Sequence, residues 1–285
     1  MASMCPYPPP ADNKRRRRSV NCAARTNRCI NVFTEAHGAL YGFASLFCVL
    51  MLLSTKALAE PEQNTSSDDD DHVDSGWKYH ARLSKFERQL STDNDDQNGE
   101  WAAFLVMGKE PNAFWLTTKG ETERGVVDSA EIRLFYSYTI APYIGVHLGW
   151  RRDIEPEPKR DWLGFGLLGV LPYKIAADIS IFAGESDRLA ARLEIAYKYW
   201  ITQKLSLTPD LEANFYSKTD TETDTGSGLS DLDLGLRLRY RLVEGVSPYA
   251  GITWKGNFAT TRDIIEGKGE DSSDLRFLLG VTLWF

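Results

Sequence analysis

Beyond Ala59 the chain holds three histidines, His72, His80 and His147, one methionine, Met107, and no cysteine, because Cys5, Cys22, Cys29 and Cys48 all come earlier. Disulfides, thiolate metal sites and a cysteine nucleophile are therefore excluded from that part of the chain. What remains is imidazole and carboxylate chemistry. The candidate metal ligands are His147 and His80 with Asp178, Asp210, Glu212, Asp231 and Asp233. Carboxylate oxygens suit hard cations such as Ca²⁺ or Mg²⁺, and imidazole adds affinity for Cu(II) or Zn²⁺. Ion pairing competes for the same carboxylates, since Arg192, Arg237, Arg239 and Arg241 share their strands and parity. His147 could equally be a hydrogen-bonded member of such a network. Hydrolysis would call for a His and Ser two residues apart or a His and Asp pair. No His-x-Ser occurs, as His147 precedes Leu148 and Gly149.

The elements that must position these groups are strands. In Leu275 to Phe285 the residues Leu275, Phe277, Leu279, Val281, Leu283 and Phe285 share one face, opposite Asp274, Arg276, Gly280 and Thr282. Ala130 to Ile140 repeats the pattern, with Ile132, Leu134, Tyr136 and Tyr138 against Glu131, Arg133 and Ser137. So do Leu189 to Tyr199, Leu205 to Phe215 and Asp231 to Leu242. Successive side chains leave a strand on opposite faces, so one face is wholly apolar and the other charged. A soluble ligand-binding barrel would have a greasy interior and a charged exterior. Here charge on the apolar side would meet lipid at about 2–4 kcal/mol, so the charged set must be luminal. The fold class is all-β: an antiparallel up-and-down transmembrane barrel of about twelve strands, in contact with outer-membrane lipid.

The chain divides into a signal peptide over 1–59, a disordered acidic tail over 60–76 and the barrel over 77–285. Lys14 to Arg18 form a basic flank, Ala39 to Leu53 is apolar, and Ala57-Leu58-Ala59 is a cleavage site. The apolar run is too short to span a bilayer as a helix. The tail carries Asp68 to Asp71 beside His72, either a solvated segment or a weak cation trap. After Ala59 there are 25 basic and 38 acidic residues, a balance that repels nucleic acid and attracts cations. Short turns are expected at Pro142, Pro172, Thr202-Gln203 and Gly245-Val246. Longer loops are expected over Arg152 to Arg160, Lys218 to Gly228 and Thr260 to Ser273, with Gly184 to Asp187 compact.

Several segments resemble the outer-membrane copper-resistance protein B family: Gly226-Ser-Gly-Leu-Ser-Asp-Leu-Asp-Leu-Gly-Leu-Arg-Leu-Arg-Tyr240, Ser247-Pro-Tyr-Ala-Gly-Ile-Thr-Trp254, Ala190-Ala-Arg-Leu-Glu194, and Ala141-Pro142 with Gly149 to Asp153. The resemblance runs from about Trp77 to Phe285. It implies a twelve-stranded barrel that binds or exports copper ions at the outer membrane, with a periplasmic multicopper oxidase as partner. Members carry a Met- and His-rich segment ahead of the barrel, a Cu(I)-type ligand set. This chain has Asp68 to Asp71 and His72 there instead. A barrel that has lost the copper role, structural or passively diffusing, is the alternative; an outer-membrane hydrolase is a more distant one.

Overall fold

The structure, a computed structural model, describes residues 76–91 and 97–285. The expected signal peptide, and all but the last residue of the expected tail, lie outside the described residues. The strand segments are β1 (Lys78–Ser91), β2 (Gln97–Lys109), β3 (Asn112–Glu123), β4 (Val126–Ala141), β5 (Ile144–Glu155), β6 (Arg160–Leu171) and β7 (Ile175–Gly184). They continue with β8 (Arg188–Tyr197), β9 (Tyr199–Trp200), β10 (Leu205–Tyr216), β11 (Gly228–Tyr240), β12 (Val246–Asn257) and β13 (Ser273–Trp284). A short helix, α1 (Ala259–Gly267), lies between the last two. β8 and β9 both pair with β10 and form one stave interrupted at Lys198, so the barrel has twelve staves. Every stave is antiparallel to its neighbours, and β1 pairs with β13, Leu90 opposite Phe277, to close the sheet.

Burial runs opposite to that of a soluble protein. Leu279 is 66% exposed and Leu163 62%, whereas Arg237 is 1% exposed and Arg151 4%. That inversion is the physical signature of a barrel whose outer solvent is hydrocarbon. Leu279, in the middle of β13, faces out between its register partners Ala250 and Arg88. Leu279→Arg is expected to lower the unfolding free energy in lipid vesicles by about 2–4 kcal/mol. Urea titration of the vesicle-embedded protein measures it, and an unchanged midpoint would place that face in water.

Both ends of the described barrel and the tight turns between β2 and β3, β4 and β5, β6 and β7 lie at one end. Exposed Tyr79, Tyr138, Tyr143, Tyr173, Tyr199 and Tyr240 ring it. Short turns and an aromatic girdle define the periplasmic end. At the other end, residues 217–227 and 258–272 form the long connections, the second built around α1. The long loop expected over Arg152 to Arg160 is not one. β5 continues to Glu155, Asp153 pairs with Arg160, and only residues 156–159 turn. Arg152 donates from Nε and Nη2 to Asp161 at 2.7 and 2.6 Å, and Trp150 Nε1 donates to it at 2.9 Å, so a polar hairpin persists as strand.

One irregularity matters for the lumen. In β1 the register shifts at Ser84 against both β2 and β13. Arg82 faces inward before this bulge and Lys85, Glu87 and Gln89 after it, while Phe86 and Leu90 face lipid. A bulge adds one residue to one strand of a pair and so changes the facing parity.

Candidate functional site: the charged lumen

The lumen is crossed by two ion-pair systems. In the first, Arg237 of β11 donates through Nε and Nη2 to Glu87 at 3.0 and 2.8 Å and through Nη1 to Asp210 at 2.6 and 2.8 Å. Tyr249 Oη and Gln89 Nε2 each donate to Glu87 at 2.8 Å. In the second, Glu131 of β4 accepts from Arg192 at 2.8 and 3.0 Å and pairs with Arg133 at 2.6 Å and Arg151 at 3.1 Å. Arg151 also lies over the Phe182 ring, 5.0 Å from its centroid, in a small luminal cluster with Phe135 and Trp162. Charges removed from water this thoroughly persist only when several partners satisfy them.

Between the two systems runs a row of carboxylates. Asp178 on β7 sits opposite Glu194 on β8, Glu194 opposite Glu212 on β10, and Glu212 opposite Asp233 on β11. Like charges directly opposed across strands repel. Lys119 reaches from β3 to pair with Glu212 and lies 3.8 Å from Glu194. Arg133 is 3.1 Å from Glu194, Arg192 3.4 Å from Glu212 and Lys255 3.6 Å from Asp233. These cations are shared with Glu131, Glu100 and Glu121, so the row keeps an acidic excess. Among the described residues, no Lys or Arg pairs with Asp178.

His147 stands beside the Asp178 end of the row. Its neighbour across β6 is Gly166, where an added Cβ would lie 2.6 Å from His147 Nε2. The glycine leaves the imidazole free to reach past β6, and Nε2 lies 3.0 Å from Ser180 Oγ. Ser180 Oγ in turn donates to Asp178 at 2.6 Å. With the serine hydroxyl hydrogen directed at Asp178, the contact requires His147 Nε2 to donate to Ser180, the reverse of what activates a serine nucleophile. The ring also packs on Phe135, centroids 4.7 Å apart.

The sequence-level candidates thus separate. His147 and Asp178 come together through Ser180, with 3.9 Å between Nε2 and Oδ1. Glu212 and Asp233 lie in the carboxylate row, Asp210 is held by Arg237, and Asp231 accepts from Asn214 at 2.7 Å. His80 is remote from all of them, near the periplasmic end against Phe104. The ion pairs expected of Arg192 and Arg237 form, while those expected of Arg239 and Arg241 do not, because both face the periplasmic mouth instead. Met107 is 49% exposed on the lipid face. Glu194 and Ser180 were not singled out by composition; strand register, which pairs Glu194 with both Asp178 and Glu212, identifies them. Among the described residues no three His, Asp or Glu side chains converge as a ready metal cage.

An outer cavity of about 780 Å³ opens onto the Glu212 and Asp233 end of this row, lined by fifteen acidic and nine basic side chains. A second cavity of about 280 Å³ lies at the periplasmic mouth, and the two share no lining residue. The Glu87–Arg237 pair lines neither.

A closed twelve-stave barrel with an apolar exterior, a girdled short-turn end and a charged lumen is an outer-membrane β-barrel, and the chain resides in the cell outer membrane. Its fold matches a solved NanC porin at a TM-score of 0.50, with 12% identity over 70% of this chain and 98% of that one. The family model described as copper resistance protein B precursor matches residues 77–285. Copper resistance protein B of Escherichia coli is 33% identical over 74% of this chain and 71% of its own length. A copper resistance protein B homolog of Pseudomonas syringae pv. tomato is 33% identical over 67% of this chain and 65% of its own length. The chain belongs to the copper resistance protein B family.

Proposed function

We propose that this barrel handles copper as Cu(II), gathering it in the acidic outer cavity and passing it along the row Asp178, Glu194, Glu212 and Asp233, with His147 at one end. The row carries the proposal. Oxygen ligands with one imidazole favour a divalent ion over Cu(I), and Met107, the one thioether after Ala59, faces lipid. Ligands strung along a row, rather than gathered in a cage, suit an ion that must enter and leave. Copper is cargo here, not a resident cofactor, and the barrel is non-enzymatic in this reading. The periplasmic multicopper oxidase implied by the family resemblance belongs to the same proposal as the source of Cu(II). A merely passive pore fits less well, since the buried Glu87–Arg237 pair stands between the two cavities.

The test is entry of Cu(II), Zn²⁺ or Ca²⁺ into vesicles carrying the protein and an internal metal-sensitive dye. Cu(II) is expected to enter faster than into empty vesicles and faster than Ca²⁺, and His147→Ala is expected to slow it several-fold. Entry equal to that of empty vesicles overturns the proposal; entry unchanged by His147→Ala removes His147 from it.

A further inference from the structure

The periplasmic mouth has a composition the copper reading does not use. Arg82 of β1, Lys198 at the β8–β9 break, Lys204 in the following turn, and Arg239 and Arg241 at the end of β11 all line its cavity of about 280 Å³. Among the described residues, no acidic side chain lines it. Among the described residues, none of the five has a carboxylate partner within salt-bridge distance. Asp210 is bound to Arg237, and Glu244 in the neighbouring turn is exposed. Aromatic rings take the place of acids. Arg239 lies 5.0 Å from the centroid of Tyr249, and Lys198 and Arg241 lie 4.4 and 4.7 Å from that of Trp200.

Two of these groups are also incomplete. The Nε atoms of Arg82 and Arg239 are buried and lack any hydrogen-bond partner. A buried guanidinium N–H left without an acceptor costs free energy that an incoming oxygen would recover. Buried Ser206, Ser247 and Thr282 add hydroxyls to the same wall. Elsewhere in this lumen every buried arginine meets carboxylates, so five gathered cations without one form a cradle lacking its anion.

We propose that the periplasmic mouth is a binding site for a phosphate-type oxyanion, held chiefly by Arg82, Arg239 and Arg241. Arginine's planar fork matches phosphate oxygens in pairs, and two lysines add charge at the rim. The same chemistry could come from a free phosphate or from a phospholipid headgroup entering past the rim. The site is separate from the copper row, none of whose residues lines this cavity.

The experiment titrates the full chain with inorganic pyrophosphate in an uncharged detergent. In parallel, the protein is placed in phosphatidylglycerol and in phosphatidylcholine vesicles and its thermal midpoint compared. The expected result is saturable binding in the pyrophosphate arm, or a higher midpoint in phosphatidylglycerol. Either must weaken at least tenfold, or disappear, in Arg82→Gln/Arg239→Gln and stay unchanged in Arg262→Gln on α1. The pyrophosphate arm marks a free anion and the vesicle arm a headgroup. Without any anion, Arg82→Gln should raise the midpoint, because it removes a like charge that has no partner; this distinguishes a ligand-binding arginine from a structural one. Response in neither arm, or equal response in the double variant, overturns the site.

Discussion

Arg237→Ala is expected to lower the unfolding free energy by about 3–5 kcal/mol and to raise ion conductance several-fold. The guanidinium is the shared donor to Glu87 and Asp210, and the Glu87 side chain is fully buried. Its removal leaves Glu87 hydrogen-bonded only by the neutral donors Tyr249 and Gln89, with its buried charge unpaired. It also empties the space between the two cavities. Urea unfolding in vesicles gives the first quantity and planar-bilayer recording the second. The double variant Glu87→Gln/Arg237→Met separates them: with neither charge present, most of the stability should return while the conductance stays high. A double variant as unstable as the single one would show that packing, rather than charge pairing, holds the barrel there.

Neutralising the centre of the row, Glu194→Gln with Glu212→Gln, is expected to cut cation selectivity and slow Cu(II) entry about tenfold, equivalent to about 1.4 kcal/mol at the limiting step. The two carboxylates oppose one another across β8 and β10 and share Lys119 and Arg192. Replacing both turns a net acidic stretch into one dominated by those cations. The reversal potential under a salt gradient reads this directly and should move toward anion preference. An unchanged potential would mean that the acidic outer loops, and not this row, set the selectivity. Stability should fall as well, because Lys119 loses both of its carboxylate partners, although relief of the like-charge opposition offsets part of the loss.

The barrel was legible because period-two alternation needs only the chain itself: Leu134, Tyr136 and Tyr138 alternate with Arg133 and Ser137 whatever their neighbours are. Which charge meets which was not, because the partners lie far apart in sequence and meet across the lumen or across several staves. Glu131 is reached by Arg192 from 61 residues away and Glu87 by Arg237 from 150. The misread stretch from Arg152 to Arg160 has a different cause. Above the membrane both faces of a strand meet water, so the alternation fades while the backbone pairing of Asp153 with Arg160 continues. The His147–Ser180 contact was hidden for a third reason: it depends on Gly166, and a missing side chain sends no signal in a hydropathy pattern.

The bulge at Ser84 gives β1 two reading frames. Even-numbered residues face the lumen on its periplasmic side, where Arg82 joins the basic mouth, and odd-numbered ones beyond it, where Glu87 meets Arg237. A one-residue deletion in most staves of this barrel would invert every side chain downstream until the next turn. In β1 the insertion is already written in, and losing it would turn Glu87 and Gln89 outward into lipid and send Phe86 and Leu90 into the ion pairs. The seam where the barrel closes is thus also the place where its two electrically opposite halves are spliced together.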